Sequence, residues 1–252
     1  MGNVGAKDVP TLLTPDGRRI DGRRLDELRP LSIVAGPLRQ ADGSALVEWG
    51  ANKVMAAVYG PREVHPRHLQ ENHKAIIQSR YNMAAFSVDE RKRPGLDRRS
   101  QEISKVISEA FESVVFVEEF PRTSIDVYME VLQANAGTRC AGVVAASVAL
   151  ADAGIPMVDL LPAVAVGKVA GAIALDLKKE EDNFGEADLP MAMVPQSGRF
   201  VLLQMEGHMT RPELAQALEL GVSGCRQIHE KMKEALRERY APTAAPPMEV
   251  PA

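Results

Sequence analysis

From residue 45 onward the chain switches between two hydrophobic periods. Ala45-Leu-Val-Glu-Trp49 and Val54-Met-Ala-Ala-Val-Tyr59 flank Gly50-Ala-Asn-Lys53 and predict a hairpin with a loop of about four residues. From Thr123 to Leu132, Ile125, Val127, Met129 and Val131 alternate with Ser124, Asp126, Tyr128 and Glu130, the period of a half-buried strand. Ile103, Val106, Ile107, Ala110, Phe111 and Val114 recur at helical spacing and predict a helix over 100–115. A more apolar helix is expected from about Thr138 to Asp152, closed by Gly154 and Pro156. Short strands follow at 164–169, 172–177, 191–194 and 200–205. Thr210-Arg-Pro-Glu213 has the capping-box pattern and opens a long helix. Its inward stripe is Leu214, Leu218, Val222, Cys225, His229, Met232 and Leu236, with His229 read as a core or interface residue.

These elements imply an α+β fold of two sheet-plus-helix subdomains, each with its helices on one side of its sheet. The Gly154-Ile-Pro156 break sets the expected division, 16–155 and 156–240. The tail 241–252 carries four prolines and almost no charge, so it is expected to be disordered. No internal repeat relates the halves.

Composition narrows the class. At 252 residues, 45% apolar and 25% charged, the chain is an ordinary soluble length for one large or two modest domains. Cys140 and Cys225 have no Cys-x-x-Cys spacing, which argues against a disulfide scaffold or a zinc ribbon. The longest uncharged apolar run, Ala141 to Ala151, is well short of the roughly 20 residues that cross a bilayer. Met1 to Asp8 lacks an apolar core, so no signal peptide is expected, and the location expected is cytoplasmic.

The net charge of −4 hides an uneven distribution. Residues 91–99 hold five bases (Arg91, Lys92, Arg93, Arg98, Arg99) and one acid, Asp97. Residues 176–188 hold six acids (Asp176, Glu180, Glu181, Asp182, Glu186, Asp188) and two bases. A polyanionic substrate with a metal would need such a pair of segments; two solvated loops would look the same by composition.

Four segments can carry chemistry. Asn135-Ala-Gly-Thr-Arg139 joins a strand to a helix. Gly137 allows a tight turn there, Thr138 is an expected N-cap, and the free N–H groups of the first turn with Arg139 suit an anion. It is not a P-loop, since the Gly-Lys-Ser/Thr ending is missing. Arg98 and Arg99 stand just before Ser100, the expected start of another helix. Asp182-Asn-Phe-Gly-Glu-Ala-Asp188 is expected as a loop folded back at Gly185, its two carboxylates facing one hard cation or acting as acids on a leaving oxygen. Arg62-Glu-Val-His-Pro-Arg-His68 is rich in groups that meet phosphates without reading bases.

In their order along the chain these segments resemble the RNase PH family, on the branch of the archaeal exosome. The matching pieces are Asp21-Gly-Arg-Arg-Leu-Asp-Glu-Leu-Arg-Pro30, Gly60-Pro-Arg-Glu-Val-His-Pro-Arg-His68, Asp89-Glu-Arg-Lys-Arg93 with Arg98-Arg99-Ser100, and Phe120-Pro-Arg-Thr-Ser-Ile-Asp126. Gln133-Ala-Asn-Ala-Gly-Thr-Arg139, Ala151-Asp-Ala-Gly-Ile-Pro156 and Asp176 through Pro190 complete the set, which spans roughly Asp16 to Tyr240. Thr138 stands where serine is more often expected, and the hydroxyl is kept.

The resemblance implies an RNase PH-like fold and phosphorolysis of single-stranded RNA from its 3′ end, with inorganic phosphate as co-substrate and nucleoside diphosphates as products. The reverse reaction would add untemplated nucleotides. By the same resemblance Arg99, Gly137, Thr138 and Arg139 hold the phosphate. Asp182 and Asp188 hold Mg²⁺ (or Mn²⁺) or protonate the leaving oxygen, and Arg67, His68 and Arg98 follow the RNA backbone. A non-catalytic RNase PH-like partner in a ring of three heterodimers, topped by RNA-binding cap subunits, is implied too. A stand-alone RNase PH that trims transfer RNA ends, and a silent RNA-binding ring subunit, are the rival readings.

Overall fold

The computed structural model describes residues 11–95 and 97–241; most of the 241–252 tail therefore lies outside the described residues. In chain order the elements are β1 (Leu31–Ala35), β2 (Gly43–Trp49), β3 (Asn52–Glu63), β4 (Ile76–Met83), α1 (Arg98–Glu112), β5 (Thr123–Gln133) and α2 (Thr138–Asp152). They continue with β6 (Ala163–Val169), β7 (Ala172–Leu175), α3 (Lys179–Phe184), β8 (Ala187–Val194), β9 (Arg199–Leu203), β10 (Glu206–Gly207) and α4 (Arg211–Tyr240).

The first sheet runs β1-β2-β3-β5-β4, antiparallel except where β4 lies parallel to β5. Trp49 pairs with Asn52, so the β2–β3 turn has two residues, Gly50 and Ala51, rather than the expected four. Lys53 is a strand residue, because the ladder to β5 begins there. The second sheet runs β10-β8-β6-β7, with β9 also on β8.

A shared helix layer joins the two sheets. α2 packs on β2, β3 and β5 on one side and on β6 and β8 on the other. That is why its sequence is apolar all round: Cys140 through Leu150 are buried without a break. α4 extends the layer against β1, β6, β7 and β8, and α1 completes it against β4 and β9. The architecture is α+β with two sheet-plus-helix subdomains, but α2 faces both sheets, and one apolar core runs through both. Each sheet thus has its helices on one side, as expected, and the same helix layer serves both.

α4 begins with the expected capping box, Glu213 Oε2 accepting from Thr210 N at 2.7 Å. Its centre line differs from the expected stripe. Cys225, His229 and Met232 are buried, whereas Leu214, Leu218, Val222 and Leu236 only flank the contact. The closest approach is made by small residues: a Cβ on Gly221 would sit 2.2 Å from Met191 Sδ. His229 is a core-edge residue, its Nε2 2.8 Å from Asp159 Oδ1. Among the described residues no helix is long and apolar enough to cross a membrane.

Candidate functional site

The strand-to-helix turn after β5 makes one wall of the site. Ala136 and Gly137 both take left-handed backbone, at φ 56° and 67°. Gly137 is the N-cap, so Thr138 is the first helical residue and not the expected cap. The cap position needs positive φ, which glycine adopts freely and threonine does not. The first-turn N–H groups of α2 remain available with the positive end of the helix dipole.

Buried side chains hold this turn from behind. Asn52 donates from Nδ2 to Ala136 O at 2.6 Å and accepts from Asn135 N at 2.5 Å. Arg29 donates from Nη1 to Asn135 O at 2.5 Å. Arg29 is fixed in turn by Asp176, whose carboxylate accepts from Arg29 N at 2.7 Å, Arg29 Nη2 at 2.6 Å and Trp49 Nε1 at 2.9 Å. Asp176 stands in left-handed backbone at φ 56°, which ends β7 at Leu175, two residues before the expected end.

α1 supplies a second positive terminus. Asp97 caps it, accepting from Ser100 N at 2.7 Å, so the helix starts at Arg98, two residues earlier than expected. That bond and Lys92 at 2.9 Å hold the Asp97 carboxyl well below the usual carboxylate range. Arg99 projects from this first turn into the site.

The acidic wall comes from the second subdomain. Asp182 lies on the short helix α3 rather than in a loop. Its neighbour Glu181 is fully buried in an ion pair with Arg19, which also donates to Leu175 O and Asp176 O. Gly185 does not fold back through left-handed backbone; its φ is −70°. Glycine is required there by proximity, since a Cβ would meet Glu181 O at 2.4 Å. Asp188 is the second residue of β8, paired with Gly167 on β6 and Glu206 on β10.

These walls enclose a pocket of about 160 Å³ lined by Arg99, Gly137, Thr138, Arg139, Asp182 and Asp188, with Glu206 at the edge. Gln204 holds the Arg139 guanidinium by a hydrogen bond. Burial, reinforced by the Asp182 charge and opposed by Arg139, pushes Asp188 up to about 7. Burial on its pocket side also raises Asp182, whose outer edge reaches solvent, while Arg99 opposes the rise. The site thus places guanidinium groups and amide donors opposite carboxylates that resist ionisation.

Asp188 Oδ1 is buried without a partner, the mark of an atom that awaits a cation or a proton. Two carboxylates suit Mg²⁺, which binds through one or two such groups together with substrate oxygens and water. Among the described residues no set of three or more His, Cys, Asp or Glu forms a metal cage.

The three remaining expected residues stand outside the pocket. Arg67 and His68 lie on an exposed 3₁₀ turn, 67–69, where Arg67 pairs with Glu63 at 2.8 Å. Arg98 is exposed on the first turn of α1. Sequence reading gave no role to Arg19, Arg29, Asn52, Asp176 or Glu206. Arg29 and Asp176 fall in segments that carry the family resemblance, but nothing local marks two residues 147 positions apart as a buried pair.

Comparison with known proteins agrees with this architecture. Residues 27–156 match the model of the 3′ exoribonuclease family, domain 1, and residues 159–224 that of domain 2. The exosome complex component Rrp41 of Thermococcus onnurineus is 58% identical over 237 residues, covering 94% of this chain and 95% of that protein. Its counterpart in Methanopyrus kandleri is 59% identical over 229 residues, covering 91% and 96%. Among solved structures, rice Rrp46 superposes with a TM-score of 0.79 at 24% identity over 87% of this chain and 100% of that one, a likeness of fold.

Proposed function

Because the chain belongs to the 3′ exoribonuclease (RNase PH) family, we propose that it is the catalytic subunit of an archaeal exosome core, a phosphorolytic 3′-to-5′ exoribonuclease. The observation that carries this reading is the single pocket in which α2's N-terminus, Arg99 and Arg139 face Asp182 and Asp188. Two anions, free phosphate and the terminal phosphodiester, repel each other and meet only where positive donors converge. The amides at Gly137 and Thr138, with Arg99 and Arg139, hold the attacking phosphate. Its oxygen bonds to the terminal phosphorus, the bond from phosphorus to the 3′ oxygen breaks, and that oxygen leaves with a proton. The products are a nucleoside diphosphate and an RNA one residue shorter with a free 3′ hydroxyl.

Asp182 and Asp188 act on the leaving side, as holders of Mg²⁺ (or Mn²⁺) or as the source of that proton. The ion, when bound, would offset charge on the two phosphoryl groups. Arg67, His68 and Arg98 track the RNA backbone outside the pocket, from exposed positions suited to that task. The full pocket set speaks against a silent ring subunit. Residues 16–155 and 156–240 form its two RNase PH-like subdomains. The assembly is a cytoplasmic ring of three heterodimers with a non-catalytic RNase PH-like partner and RNA-binding caps.

Reversal tests the chemistry. With excess phosphate and Mg²⁺ the complex should shorten RNA and release nucleoside diphosphates; with nucleoside diphosphates alone it should lengthen RNA and release phosphate. Shortening that yields nucleoside monophosphates under both conditions would mean hydrolysis and overturn the reading.

A further inference from the structure

Tyr81 on β4 is fully buried, and its phenol oxygen lies 2.8 Å from the Thr138 hydroxyl. Among the described residues it makes no other hydrogen bond. The ring lies along the start of α2: a Cβ on Gly142, one turn beyond Thr138, would touch the ring edge at 3.6 Å. Packing therefore fixes where the phenol points. Burial raises its pKa, against the opposing Thr138 bond and the charges of Arg99 and Arg139, so it stays protonated at neutral pH.

Two hydroxyls share this bond, and either can donate. If Thr138 donated, its lone pairs would face the pocket and repel an anion. If Tyr81 donates, the Thr138 proton is free to point at a phosphate oxygen, and among the described residues Thr138 Oγ1 has no other partner. We propose that Tyr81 is a positioning residue for the attacking phosphate, donating to Thr138 Oγ1 so that the threonine proton is presented to the anion. This rests on Thr138 holding phosphate as proposed above. The plainer alternative is that the bond only satisfies two buried hydroxyls.

The assembled enzyme separates these. Tyr81→Phe removes one oxygen and keeps the ring packing. It should raise KM for phosphate about fivefold, the loss expected for one hydrogen bond. Its kcat at saturating phosphate and its KM for RNA should stay within about twofold. In reverse, KM for the nucleoside diphosphate should rise by the same factor, because its terminal phosphate takes the same place. Thr138→Val should also raise KM for phosphate, and Tyr81→Phe added to it should change nothing more.

If Thr138→Val leaves KM for phosphate unchanged, the phosphate-site reading itself fails. If Thr138→Val raises it while Tyr81→Phe does not, or if the two effects add, the positioning role is overturned and the site reading stands. A measurement on unmutated protein guards against a variant that does not fold. The chain has four tyrosines, so a carbon label on the phenol carbon gives few resonances. Phosphate should move the Tyr81 signal, and an unmoved signal at saturating phosphate would contradict the proposal.

Discussion

Asp182 and Asp188 are carboxylates whose surroundings oppose their charge. Asp188 is enclosed, lies beside a second carboxylate and has one oxygen without a partner. Such an atom is suited to a cation or a proton brought in with the substrate. Asp182→Asn and Asp188→Asn should each lower turnover by at least about a hundredfold, the scale for losing a positioned acid or its equivalent. RNA affinity should hold, since binding comes from contacts to backbone phosphates. A gel shift run beside a turnover assay checks both, and loss of binding together with activity would show that the carboxylates only support the fold. These two acids, with Arg99, Gly137, Thr138 and Arg139, were singled out because they stand in the motifs that carry the family resemblance, and the structure brings them to one pocket. Arg29 and Asp176 were not, because a charge becomes structural only when a distant partner buries it, and residue type is silent about burial.

At the scale of elements, local signals worked where a single residue decides a boundary. The capping box fixed the start of α4, and the Gly154–Pro156 break fixed the end of α2. They failed where geometry decides. α1 was expected from Ser100, yet Asp97 caps it and brings Arg98 and Arg99 into its first turn. The acidic stretch read as a loop because its helix, α3, spans six residues and is held by the buried Arg19–Glu181 pair rather than by propensity. The Asp97 cap is testable. Asp97→Ala should cost about 1 kcal/mol, the usual worth of an N-cap, and should loosen Arg99. Folding lowers the pKa of Asp97, so its stabilisation is complete above the unfolded value near pH 3.9 and is lost as pH falls through the lower folded value. The protection of the Ser100 amide, its exchange relative to an unprotected amide at the same pH, should fall on acidification in the wild type. In Asp97→Asn that acid-induced change should be smaller; an identical acid response in both proteins would show that Asp97 is not the cap that matters.

Across the whole molecule, the site exists because α2 serves two sheets. Its N-terminus faces acids from the second subdomain, while its body is packed against the first. Anchors cross the same seam, Asp176 on Arg29 and Glu181 on Arg19, and tie the anion donors to the carboxylates. The general α+β plan was legible from the order of periods; the sharing of one helix layer was not, because a helix that is apolar all round does not say what covers each side. A net charge of −4 also leaves the chain poorly equipped to hold RNA by itself, so the exposed Arg67, His68 and Arg98 should act with groups from a neighbouring subunit. The most direct measurement follows label from orthophosphate into product, with the chain alone and with its RNase PH-like partner. The account predicts that the assembled ring places the label in the β-phosphate of every released nucleoside diphosphate, and that the chain alone does so weakly or not at all. Unlabelled nucleoside monophosphates from the ring would contradict phosphorolysis, and full label transfer by the solitary chain would contradict the need for a partner.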